Sequence, residues 1–152
     1  VCSYLDKGKE AGAKLVLGGT TEDGAYVLPT IFDGIAADSP LAREEIFGPV
    51  LSVLTVSSNE QAIAMANDTN YGLAASVFSG NAKRALRAAR AIRAGTVTVN
   101  CYGEGDISTP FGGYKQSGFG GRDNSIHAHD QYTELKTIWV DLSDRGLEES
   151  VA

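Results

Sequence analysis

The fold turns on Arg43-Glu44-Glu45-Ile46-Phe47-Gly48-Pro49-Val50-Leu51-Ser52-Val53-Leu54-Thr55-Val56. Its second half, Val50 to Val56, is a run of apolar and β-branched residues and reads as a buried strand. In front of it, Gly48-Pro49 turns the chain, and the fixed φ of proline holds that turn rigid. The turn presents Glu45 and Phe47 at the mouth of a sheet. One carboxylate beside one flat apolar ring suits a ligand that carries a vicinal diol next to an aromatic ring. The carboxylate accepts the two hydroxyl protons and the ring covers the aromatic, a shape that a nicotinamide riboside has. The same residues also allow a plain solvated turn with a core aromatic.

Downstream, Ser58-Asn59-Glu60-Gln61 is a capping-box pattern that starts a helix with Ala62, Ile63 and Ala66 on its buried face, ending near Asn67-Asp68. Asn70-Tyr71-Gly72 is a turn, and residues 74–79 form the next strand. A second helix is expected over 81–93, with Ala85, Leu86, Ala89 and Ile92 as its apolar stripe and Gly95 as its C-terminal cap. Its Lys83, Arg84, Arg87, Arg90 and Arg93 read as a solvated face. Thr96-Val97-Thr98-Val99-Asn100 is a third strand. Strand, helix, strand, helix, strand with short joints predicts an α/β fold with a mostly parallel sheet and flanking helices. Ligands of such sheets bind outside the carboxyl ends of the strands, which makes the loop 100–113 the site candidate. The loop that carries Glu45 and Phe47 enters its strand at the opposite edge of a purely parallel sheet, so it must fold back or that strand must be placed differently.

Upstream, residues 1–12 read as a helix with Val1, Tyr4 and Leu5 on one face, and Lys7 and Lys9 in its last turns suit the helix dipole. Lys14-Leu15-Val16-Leu17 is a short strand stopped by Gly18-Gly19. Residues 25–32 read as another, which Pro29 demotes to an edge or a bulge. At the far end, Tyr132-Thr133-Glu134-Leu135-Lys136-Thr137-Ile138-Trp139-Val140 has strong strand propensity and no later strand to pair with, which invites another chain. Residues 143–152 are a polar, acidic tail.

At 152 residues, 43% hydrophobic and 21% charged, the chain suits one soluble globular domain. A net charge of -6 argues against nucleic acid, whose phosphates need a positive surface. Its apolar runs fall short of a membrane span, and no basic-then-apolar leader opens it. Two cysteines without a CxxC exclude a disulfide scaffold or a cysteine zinc site and fit a reducing, cytoplasmic setting. The chain opens at Val1, inside a helix pattern, as a piece of a longer polypeptide would.

Cys101, at the end of a strand, is the more tempting of the two thiols, but a cysteine there is far more often a small core residue. His127 and His129 point to opposite sides of a strand and make a poor metal pair. Gly118-Phe119-Gly120-Gly121 is irregular backbone and not a phosphate loop.

Glu-Glu-Ile-Phe-Gly-Pro-Val at 44–50 resembles a signature of the NAD(P)-dependent aldehyde dehydrogenase superfamily. So does Pro110-Phe111-Gly112-Gly113-Tyr114-Lys115-Gln116-Ser117-Gly118, and between them Asn70-Tyr71-Gly72-Leu73-Ala74 and Gly95-Thr96-Val97-Thr98-Val99-Asn100 fall in the family's order. The resemblance covers about residues 1–142 and is to the C-terminal portion of such enzymes. It implies residues 1–131 as part of the catalytic domain, 132–142 as an oligomerisation strand that adds to a neighbouring subunit's sheet, and a homodimer or homotetramer. It implies Glu45 as the ribose-binding carboxylate, Phe47 as the ring packed near the nicotinamide of NAD or NADP, and Phe111 as a wall of the aldehyde tunnel. Asn100 and Gly112-Gly113 are expected to be scaffolding. The family's nucleophilic cysteine, general-base glutamate and oxyanion asparagine lie in motifs that this sequence lacks, so no catalytic residue is assigned and the chain alone is expected to be inactive. Ser117-Gly118-Phe119-Gly120-Gly121-Arg122-Asp123 is one residue longer than the usual spacing, and Arg122 receives no role. Glu104 and Asp106 would suit a cationic end on the aldehyde, or form a solvated turn. With the sequences at 100–102 and 133–139, they look similar to the γ-glutamyl-γ-aminobutyraldehyde and aminoaldehyde branch of polyamine catabolism.

Overall fold

The computed structural model describes residues 1–24, 26–103 and 105–143. Helix α1 (Cys2–Glu10) leads into strands β1 (Lys14–Leu17), β2 (Thr21–Glu22), β3 (Tyr26–Val27) and β4 (Thr30–Asp33). A single turn of helix, α2 (Pro40–Arg43), precedes β5 (Val50–Val53). The second half alternates α3 (Asn59–Asn67), β6 (Ala74–Val77), α4 (Ala82–Ala91) and β7 (Thr96–Val99).

These strands form three small sheets instead of one mostly parallel one. The order β1-β4-β5 is mixed: β1 runs antiparallel to β4, while β4 and β5 are parallel with Thr30 opposite Val50. β6 and β7 make a separate parallel pair with Ser76 opposite Thr98, and β2 and β3 a short antiparallel ribbon. The predicted crossover from β6 through α4 to β7 is present. The one from β5 to β6 is not: β5 pairs with β4, and β6 pairs with β7 in a separate sheet. Pro29 also divides the expected strand 25–32: it cannot donate to a ladder, so β3 and β4 pair with different neighbours.

The core lies under the first sheet. Leu5, Phe32, Ile35 and Leu41 are buried, with Tyr4, Val27, Ile46, Val50 and Leu54 packed around them. Gly8 lets α1 cross directly over Phe32, since a Cβ there would fall 2.8 Å from the ring.

The second half is capped as its sequence predicts. Ser58 accepts from the Gln61 amide at 3.1 Å, and Asn81 accepts from the Arg84 amide at 2.9 Å. The reciprocal arm of the first cap is shifted by one residue, since the Gln61 side chain accepts from the Ser57 amide at 2.7 Å. Three details differ from expectation. Leu86, expected on the apolar stripe of α4, is 52% exposed. Ala66 is exposed, and no residue of α3 is fully buried. Helix α4 ends at Ile92, which is already extended, before Gly95 is reached.

Residues 132–140 form no strand within this chain, and Leu135 and Trp139 stand in solvent. Strand propensity becomes a strand only where a ladder of partners is available. Residue 143 continues this irregular segment, and the remainder of the predicted tail lies outside the described residues. Among the described residues, no helix is long and apolar enough to cross a membrane.

Candidate functional site

The segment 44–49 leaves α2 and enters β5 as irregular backbone. Pro49 closes a tight turn in which the Val50 amide donates to the Gly48 carbonyl at 2.7 Å. The Pro49 carbonyl accepts from the Thr30 amide at 2.8 Å, so the turn is clamped to β4. Phe47 is held at φ 48, a left-handed conformation that an aromatic residue rarely adopts, and its ring is 84% exposed. Glu45 is exposed, and its carboxylate has no hydrogen-bond partner among the described residues. A free carboxylate and a bare ring two residues apart, on strained but braced backbone, match what a diol next to an aromatic ring requires.

Its neighbours are occupied. The Tyr4 hydroxyl donates to Glu44 Oε2 at 2.5 Å, and that bond, followed by burial and the charge of Glu44, raises the Tyr4 pKa. Arg43 donates from Nε to the Ala37 carbonyl at 2.7 Å. Its terminal nitrogens donate to the Asp68 carbonyl and carboxylate, each at 2.6 Å. This fork holds the Asp68 carboxyl below the usual carboxylate range.

The loop after β7 frames a second locus. A cavity of about 970 Å³ is lined by β6, β7 and the loop side chains Tyr102, Asp106, Ile107, Thr109 and Phe111. Ser76 and Thr98 share a hydrogen bond at 2.8 Å on the sheet at its floor. The loop is folded back on itself by three backbone bonds: Ser125 to Ile107, Asp123 to Phe111, and Gly120 to Gly113. Where it meets the sheet the backbones touch. A Cβ on Gly95 would lie 1.7 Å from the Gly112 carbonyl oxygen, and the Gly72 carbonyl accepts from both Gly95 and Tyr114. Lys115 Nζ donates to the carbonyls of Asn67 and Thr69, each at 2.9 Å, fastening the loop to the end of α3.

Of the residues singled out from sequence, Asp106 and Phe111 line this cavity, and Phe111 is 39% exposed. Asp106 also organises its own turn. Oδ1 accepts from the Ser108 hydroxyl and amide, which lowers the Asp106 pKa. Glu104 lies outside the described residues. Glu45 and Phe47 do not line the 970 Å³ cavity. Asn100, at φ 56, exchanges two hydrogen bonds with the Ser79 backbone, as a scaffold residue would. Cys101 is half-buried, and its carbonyl accepts from the Thr98 hydroxyl at 2.9 Å. His127 and His129 sit in a 3-10 turn (126–131) and not in a strand, and His127 Nδ1 lies 3.8 Å from an Asp130 carboxylate oxygen.

Three contributors were not foreseen: Tyr4, and the Ser76–Thr98 pair. Period-two alternation in Thr96-Val97-Thr98-Val99 groups Thr96 with Thr98, but only the register brings Ser76 to Thr98. Tyr4 carries no sequence signal of its role, because its partner is 40 residues away.

The aldehyde dehydrogenase family model matches residues 1–138. An aminoacetaldehyde dehydrogenase from Pseudomonas aeruginosa is 61% identical over 143 residues, covering 94% of this chain and 29% of that protein. The NADP/NAD-dependent aldehyde dehydrogenase PuuC of Escherichia coli is 49% identical over 142 residues, covering 93% of this chain and 28% of its own length. The crystal structure of an indole-3-acetaldehyde dehydrogenase complexed with NAD+ superposes with a TM-score of 0.86 at 54% identity, covering 93% of this chain and 29% of that one. The chain thus spans less than a third of the length of these relatives.

Proposed function

Because the chain belongs to the aldehyde dehydrogenase family, we propose that it is the C-terminal portion of an NAD(P)-dependent enzyme that oxidises an aldehyde to a carboxylic acid. Within that enzyme the chain shapes the pocket and does not carry the nucleophile. The observation that carries this reading is the pairing of a Glu45 carboxylate that has no partner among the described residues with an exposed Phe47 ring held at φ 48. Glu45 accepts the ribose hydroxyls, and Phe47 packs near the nicotinamide. When bound, NAD or NADP supplies the hydride acceptor. These two residues fix its ring, and small misplacements of such a group slow a reaction steeply.

Phe111 forms part of the wall that guides the aldehyde, with Asp106 beside it in the same cavity. A carboxylate there, with Glu104 two residues before it, favours an aldehyde with a cationic nitrogen. The relative named for aminoacetaldehyde acts on a compound of that class, which supports an aminoaldehyde substrate. Residues 132–142 add as a strand to a second subunit in a homodimer or homotetramer. Their exposed apolar side chains support that use. The enzyme works in the cytoplasm and uses neither nucleic acid nor membrane.

The reading is tested by expressing the polypeptide with its upstream reading frame and following nicotinamide reduction. The extended protein oxidises aldehydes and prefers a cationic aminoaldehyde to a neutral aldehyde of equal length, whereas residues 1–152 alone are inactive. Turnover by residues 1–152, or an extended protein without activity, overturns it.

A further inference from the structure

Two adjacent acids, Glu44 and Glu45, stand at the cofactor loop, and the structure separates them. Glu44 is in extended backbone, at φ -109 and ψ 147, and is drawn toward α1 by the Tyr4 hydroxyl at 2.5 Å. Successive side chains on extended backbone point to opposite sides, so fixing Glu44 on α1 sends Glu45 away from it.

The other end of the loop meets the same helical turn. Gly48 lies against Val1, close enough that a Cβ on Gly48 would fall 2.6 Å from Val1 Cγ2. The first turn of α1 thus touches the loop at residues 44 and 48, on either side of Glu45-Ile46-Phe47. That turn is itself anchored, because Leu5 is buried in the core and Gly8 lies on Phe32. The Lys7 ammonium covers the Tyr4 ring at 4.8 Å from its centroid. Glu45 has no partner of its own among the described residues, so its position is set by the backbone between these two contacts.

We infer that the first turn of α1 is a brace for the cofactor loop, with Tyr4 and Val1 as positioning residues that select Glu45 over Glu44 as the free carboxylate. The inference rests on the reading that Glu45 and Phe47 hold the nicotinamide riboside, and it adds residues outside the loop to that function. Tyr4 acts through its hydroxyl and Glu44, and Val1 through its shape against Gly48.

The test uses the upstream-extended enzyme. Tyr4→Phe keeps the ring in the core and removes only the hydroxyl. It raises KM for the nicotinamide cofactor roughly fivefold, the loss expected for one ordinary, solvent-exposed hydrogen bond, while kcat at saturating cofactor and the thermal midpoint stay near the parent values. Glu44→Gln, which keeps an acceptor, restores most of the affinity lost in Glu44→Leu. Tyr4→Phe adds nothing further in the Glu44→Leu background. At the other contact, Gly48→Ala weakens cofactor binding and a second change, Val1→Ala, recovers it.

Glu45→Gln is the reference variant. If it leaves cofactor affinity intact, the reading of the loop as a cofactor site fails. If it weakens binding but Tyr4→Phe does not, the brace alone is overturned. A Tyr4→Phe enzyme that loses kcat and thermal midpoint together also overturns it, since the hydroxyl then serves general stability.

Discussion

The two halves of the chain fold by different means. Around β1, β4 and β5, large side chains meet: Phe32 is 0% exposed, and Leu5, Ile35 and Leu41 close over it. Around β6 and β7, the buried apolar residues are Ala85 and Ala94. There Val77, Ile63 and Ile92 line an open groove of about 590 Å³ between the helices and β6. The first half is held by apolar burial, whose strength scales with the area removed from water. The second is held by polar fasteners: the helix caps, the Asn67 bonds to Ala91 and Arg93, the Lys115 clamp, and backbone contact at Gly72, Gly95 and Gly112. The contrast fits a first half that carries its own core and a second half whose apolar layers are completed by the rest of the proposed enzyme.

This contrast can be broken. Phe32→Ala removes the centre of the first core and is expected to cost about 3–5 kcal/mol. Hydrogen exchange then shows protection lost in β1, β4 and β5 with little change in β6 and β7. An equal loss in both halves means that they share one core after all. Gly95→Ala acts on the other side. With backbone 1.7 Å from the new Cβ, it costs about 1–3 kcal/mol or more. It exposes the amides of Gly95 and Tyr114, which donate to the Gly72 carbonyl, while the first sheet keeps its protection. Unchanged exchange at those two amides would show that the glycine contact is not what holds the loop.

The smallest expected effect concerns the tie between the halves. Arg43, at the end of α2, reaches Asp68 beyond α3. The Asp68 pKa is lowered first by the hydrogen bond from Arg43 and then by its charge. A depressed folded value means that this contribution is complete above the ordinary carboxylate range. It fades as the pH falls through Asp68's own lower value. Acidification therefore loosens residues 36–43 and 67–70 relative to their own halves, and Asp68→Asn removes that pH dependence. Solvent screening keeps the effect modest, since both partners are partly exposed. A pH response that survives in Asp68→Asn would place the coupling elsewhere.

Much of this was legible in the residues. The caps at Ser58 and Asn81, the strands at 14–17, 50–53, 74–77 and 96–99, and the crossover through α4 follow local rules that depend on neighbours in sequence. Assembly of the strands did not follow. Apolar runs state that a segment seeks a partner and not which one, so the pattern does not show that β5 pairs with β4 while β6 pairs with β7 in a separate sheet. The candidate site divides in the same way. Glu45, Phe47, Asp106 and Phe111 stand out by type and spacing. Tyr4, Val1 and Ser76 take their roles only from contacts across 40, 47 and 22 residues.

By itself, the sequence determined the helices α1, α3 and α4, most strand positions, the Gly48-Pro49 turn and the family to which the chain belongs, because each is written in local chemistry or in ordered blocks. Only the tertiary structure decided that the strands divide into three sheets, that one of two adjacent acids is tied down, and that residues 132–140 have no strand partner among the described residues. The reason is physical: hydrogen-bond ladders and side-chain contacts are settled by which surfaces meet, and a linear pattern fixes what a segment needs without fixing what it meets.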